Sequence, residues 1–116
     1  MESILTSIKK LLGIAEDYEH FDTDIIMHIN SVFMTLNQLG VGPNKPAVIT
    51  NHLATWKDAL GDTANIEAVK IYVYLKVRMV FDPPTSSFVL EAMSRQANEL
   101  EWRLNVQAEE SEDSDA

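Results

Sequence analysis

The sequence predicts an all-α protein, a small bundle of about four to five helices with an irregular 40–60 loop and a disordered acidic C-terminal tail. Three observations lead there. Apolar residues recur at helical spacing in several segments, glycine or proline punctuates the ends of all but the last, and the 66–81 segment is long enough for a buried helix. With 116 residues the chain has one domain's worth of polypeptide, and a 46% hydrophobic fraction supplies one modest core. A core of this size leaves apolar surface in water, where partners commonly cover it.

The first helix is expected over Ser3–Leu12, where Ile4, Ile8, Leu11 and Leu12 share a face and Gly13 stands at the C-cap. Residues 16–22, EDYEHFD, read as a polar loop. The second helix runs from Asp22 or Thr23 to Leu39, with Asp22 as N-cap and Asp24 near the positive helix end. Its stripe is Ile25, Ile29, Val32, Phe33, Leu36 and Leu39, and Gly40 ends it.

Two glycines and two prolines make residues 40–50 a loop, with a short extended piece at Val48–Ile49. A helical turn follows at Thr55–Leu60 and stops at Gly61. Residues 66–81 carry two signals. Their β-branched and aromatic content and the alternation from Ile71 to Met79 suit a strand. Their length, and the line Glu67, Lys70, Tyr74, Arg78, suit a buried helix, which is the reading adopted.

Asp82-Pro83-Pro84 stops that helix as a structural corner, since neither proline continues a helix from within. The last helix is expected from Ser86 or Ser87 to Gln107, with Val89, Met93, Gln96, Leu100 and Leu104 inward. Glu91, Arg95, Glu99 and Arg103 alternate in sign along one edge at i,i+4 spacing. The organisation is thus a single domain over 1–107 and a flexible acidic tail over 108–116.

Charge and residue usage exclude several functions. Net charge is −9, from 18 acids against 9 bases, so phosphate backbones are repelled. Five acids and no base fall in the last eight residues, and without them the balance is 13 against 9, or −4. Such a tail buries too little apolar surface to order alone, although Glu109, Glu110, Glu112, Asp113 and Asp115 are candidates for docking on a basic partner. There is no cysteine, hence no disulfide, thiolate site or cysteine nucleophile. The N-terminus lacks the form of a secretory signal, and no run approaches a membrane span.

No catalytic, cofactor or metal site emerges. His20, His28 and His52 are isolated. Asp24 and His28 share a helix face, but an exposed ion pair explains them better than a metal. The acids between Glu16 and Asp24 lack the glycine and closing glutamate of a calcium loop. No G-x-S-x-G or phosphate-cradling glycine loop occurs.

The anomalies are apolar residues on polar faces. Trp102 lies roughly 150° from the centre of the last helix's inner stripe, and Phe88 falls on the same polar side. Met27 and Met34 lie opposite the stripe of the second helix. Either the first helix or the 41–60 loop covers them, or they meet a partner, since tryptophan and methionine are enriched at interfaces. With Arg95 and Arg103, these four are the candidate interface residues.

Four segments carry a family resemblance: HFDTDIIMHINSVFMTLNQLGVGP (20–43), ATWKDALGD (54–62), VKIYVYLKVRMVFDPPTSS (69–87) and NELEWRLNV (98–106). Together they resemble the head–tail connector, or adaptor, proteins of long-tailed bacteriophages and prophages. The resemblance covers the chain to about Gln107, and the run from Asp82-Pro83-Pro84 to Glu101-Trp102-Arg103 is its most specific part. It implies a non-enzymatic, helical structural virion protein without cofactors.

By the same resemblance the protein forms a homo-oligomeric ring, usually dodecameric, under the portal in the virion neck. The ring extends the DNA channel without gripping DNA and meets a stopper or tail protein below; before that the subunit is in the host cytoplasm. The competing reading is a small acidic protein-binding regulatory module, of inhibitor or antirepressor type; oligomer size separates the two.

Overall fold

A computed structural model describes residues 3–63 and 65–115, with side chains through Glu110. Five helices follow one another: α1 (Ile4–Leu12), α2 (Asp22–Gln38), α3 (Trp56–Leu60), α4 (Ile66–Phe81) and α5 (Ser87–Asp115). No named strand occurs among the described residues; the β pairing there is an isolated antiparallel bridge between Ser3 and Thr55.

The helix ends follow local chemistry. Ser3 caps α1 by accepting from the Thr6 N–H, and Gly13 takes the left-handed conformation (φ 80°) that closes it. Thr55 and Asp58 form a reciprocal capping box on α3. Ser86 Oγ accepts from the Val89 N–H at the start of α5. The α2 N-cap is Phe21, not Asp22 as the sequence suggested. Asp22 lies inside the first turn because its carboxylate is drawn to Lys9.

Helix α4 is the centre. Val69, Tyr72, Val73 and Val77 are fully buried, since α2 and α5 pack on two of its flanks while α1 also lies against it. The strand signal in this segment therefore reflects burial, not sheet pairing: β-branched residues serve a helix enclosed on most sides. Phe21 of the α2 entry stacks edge-on against Phe81 at 5.4 Å, so α2 starts where α4 ends. Tyr72 meets Glu101 and Asn65 meets Gln107, so α5 runs back antiparallel along α4. The two flanking helices are consequently parallel to each other. They approach at their lower ends, where Asn105 Nδ2 donates to the Leu39 carbonyl and Gly40 comes close to Ala108.

Two expectations for α5 need correction. Its inward face holds Leu90, Met93, Ala97, Leu100, Glu101, Leu104, Asn105 and Ala108, while Val89 and Gln96 are exposed. Glu101 and Asn105 turn inward because each has a hydrogen-bond partner there, Tyr72 and the Leu39 carbonyl. The helix also continues past Gln107 to Asp115. No glycine or proline interrupts it, and Ala108 packs against the core at the point where the helix was expected to stop.

The loop from 41 to 54 is pinned, not free. Asn30 behaves as a strand edge, donating from Nδ2 to the Ile49 carbonyl (2.9 Å) and accepting the Ile49 N–H on Oδ1 (2.8 Å). The Val48–Ile49 extended piece is held in this way in place of a β partner. Overall dimensions are 46 × 35 × 19 Å. The short dimension is about two helix diameters, so helices keep one face in solvent.

Candidate interaction faces

Exposure separates the candidate residues into two rows on different flanks of α4. On α5, Phe88 is 74% exposed and Trp102 is 66% exposed, with Arg95 midway between them. On α2, Met27 and Met34 are 60% and 56% exposed, with Ser31 between them. Neither α1 nor the 41–60 loop covers any of the four. The inner faces of both helices look toward α4, so the two rows look away from it.

Charge along the rows is uneven. Arg103 is held on Glu99 by its Nη2 at 2.9 Å, an exposed i,i+4 pair. Arg95 and Asp24 are exposed, and neither has an ion pair among the described residues. Helix α2 contains acids but no lysine or arginine.

The corner at Asp82-Pro83-Pro84 joins α4 to α5. The Asp82 N–H donates to the Arg78 carbonyl, and Arg78 Nε donates back to the Asp82 carbonyl at 3.1 Å. Arg78 also donates to the Tyr74 hydroxyl, so the corner is braced by one guanidinium. The Asp82 side chain is exposed. In the tail, Glu109 and Glu110 lie exposed on α5; the side chains of Glu112, Asp113 and Asp115 are outside the described residues.

Polar contacts at Lys9 and Tyr72 have no counterpart in the sequence pattern. Lys9 is 2% exposed, and its ammonium donates to the Glu16 and Tyr18 carbonyls (2.9 and 2.7 Å) while pairing with Asp22 Oδ1 at 2.9 Å. Two of its three protons are thereby used in hydrogen bonds, and the Asp22 contact is an ion pair. The available signal was its i+4 spacing from Leu5, which puts it on the buried face of α1. Tyr72 is fully buried and its hydroxyl donates to Glu101 Oε2 at 2.8 Å. Burial first, then the Glu101 hydrogen bond and its negative charge, hold the phenol well above its usual range.

Among the described residues, no three histidines or acids gather as a metal site. No described helix is long and apolar enough to cross a membrane. The exposed apolar side chains include the two rows together with Val48, Leu53 and Val80, a surface that suits contact with other macromolecules.

Comparison with known proteins accords with that. No curated protein and no solved structure matches the chain. The family described as phage connector protein matches residues 4–111, which takes in all five helices up to the first residues of the acidic tail. The match extends beyond Gln107, the end of the sequence resemblance. Phage connectors are structural proteins, and this helical chain belongs to the phage connector protein family.

Proposed function

We propose that the protein is a structural virion subunit that closes into a ring, dodecameric as is usual in the family, beneath a portal in the phage neck. The ring extends the DNA channel and joins the capsid to a stopper or tail protein. Subunits gather in the host cytoplasm during assembly. The observation that carries this reading is the pair of exposed apolar rows on different flanks of α4. A ring needs two unlike, complementary faces, because head-to-tail contacts close only when each subunit offers both.

The charge supports the same role. A net −9 subunit repels phosphate, so DNA passes without being gripped. The acids from Glu109 onward serve as a docking segment for basic residues on the portal or tail partner. The Asp82-Pro83-Pro84 corner sets the direction of α5, and thus where its outer row is presented.

Particle mass and symmetry test the reading, by native mass measurement or negative-stain images of the full chain alone and with a portal. A closed ring on the portal is expected. A closed two-fold dimer as the sole species in an assembled particle would exclude it.

A further inference from the structure

We infer that the outer row of α5 on one copy packs into the outer row of α2 on a second copy, with Arg95 set on Asp24 and an aromatic side chain seated over Ser31. This rests on the ring reading and gives its subunit contact a specific register.

The two rows match in spacing. Phe88, Arg95 and Trp102 stand seven residues apart, and so do Asp24 and Ser31. Seven residues advance a helix by about 10.5 Å and return to nearly the same face. Placing Arg95 at Asp24 therefore brings one aromatic to Ser31: Phe88 if the helices are antiparallel, Trp102 if they are parallel. The row is symmetric about Arg95, so both directions satisfy the register.

Ser31 is a receptive position. Met27, Asn30, Ser31 and Met34 form the i, i+3, i+4, i+7 diamond that accepts a knob in helix packing. Its walls are two exposed methionines and its floor is a small residue. Asn30 is turned toward the 41–54 loop by its two hydrogen bonds with Ile49 and leaves the diamond open. Methionine adapts readily around an aromatic ring and makes favourable sulfur–aromatic contacts.

Charge selects this pairing over self-pairing of either row. Two α5 rows related by a two-fold axis at their midpoint set Arg95 against Arg95. Two α2 rows offer no lysine or arginine to meet Asp24. Crossed pairing joins an arginine and an aspartate that have no ion pair within the subunit, among the described residues.

The absence of cysteine makes the test direct. Full-length Ser31→Cys, tagged to change its mass, is mixed at high concentration with untagged Phe88→Cys or Trp102→Cys, with the portal present, and treated with a short bis-maleimide. The expected product is the mixed cross-link, with Phe88→Cys or with Trp102→Cys reporting the helix direction. Arg95→Glu in the second chain should reduce its yield several-fold, and Asp24→Lys in the first should restore it. Predominant same-variant cross-links, or a yield unaffected by these charge changes, would overturn the pairing. So would no cross-link at all. A ring seen by mass on the portal together with any of these negative outcomes leaves the ring reading standing and removes only the pairing. Loss of both the ring and the mixed cross-link removes both.

Discussion

The Lys9 ammonium is the hub of the α1–α2 connection: it stands 2.9 Å from Asp22 Oδ1 and also holds the Glu16 and Tyr18 carbonyls. The link between residues 13 and 21 has no regular structure, and this one cation fixes its path and the start of α2. Desolvating a charge is costly, and here three oxygen partners offset that cost. Removing the cation leaves Asp22 and two carbonyls without it.

Lys9→Met should therefore destabilise the protein by about 3–5 kcal/mol, the loss typical of breaking a buried pair on one side. Urea denaturation followed by circular dichroism measures it. Adding Asp22→Asn to Lys9→Met should recover part of the loss, because the stranded carboxylate is gone. A loss below about 1 kcal/mol would show that water replaces the ammonium without penalty.

The Tyr72–Glu101 contact gives an alkaline signature. The phenol keeps its proton in the folded state at pH values where an unfolded tyrosine, with pKa about 10, loses it. The folded state then binds more protons than the unfolded state, so stability falls as pH rises above about 10. Tyr72→Phe should flatten this decline. At neutral pH it should cost about 1–2 kcal/mol, because Glu101 loses its hydrogen bond in a half-buried setting. Denaturation midpoints at pH 8 and pH 11 for both proteins provide the comparison.

Trp102→Ala should weaken assembly while changing subunit stability by no more than about 0.5 kcal/mol, as expected for an exposed side chain. Sedimentation of the assembled species and denaturation of the isolated subunit read the two effects separately. A stability loss of roughly 3–5 kcal/mol would place the indole in a core and contradict its exposure.

Deleting residues 109–116 should leave the thermal midpoint nearly unchanged. Leu104 and Ala108, which pack on the core, are retained, whereas Glu109 and Glu110 are exposed. Helical ellipticity should drop in proportion to the residues removed. If the tail docks on a basic partner, the deletion should also weaken binding and remove much of its salt dependence, since exposed charge pairs are screened over about 8–10 Å at 0.1–0.15 M salt. Failure of the truncated chain to fold would show that the last turns of α5 stabilise the core.

The sequence by itself determined the helix inventory and the family. Spacing of apolar residues marked α1, α2 and α5, length and a polar line marked α4, and Gly13, Gly40, Gly61 and the 82–84 corner marked the ends of the first four helices, because capping and chain reversal depend on residues close in sequence. The outward position of Trp102, Phe88, Met27 and Met34 was legible for the same reason, since a helix fixes relative angles among its own residues. Tertiary structure alone decided what those angles mean in space. It enclosed Lys9 with carbonyls from residues 16 and 18, set Glu101 against Tyr72, and used Asn30 to stand in for a β strand beside Ile49. These contacts join residues brought together by packing, so no local pattern announces them. The far end of α5 belongs with them. Ala108 against Gly40 ties the helix to the core just before the acids begin.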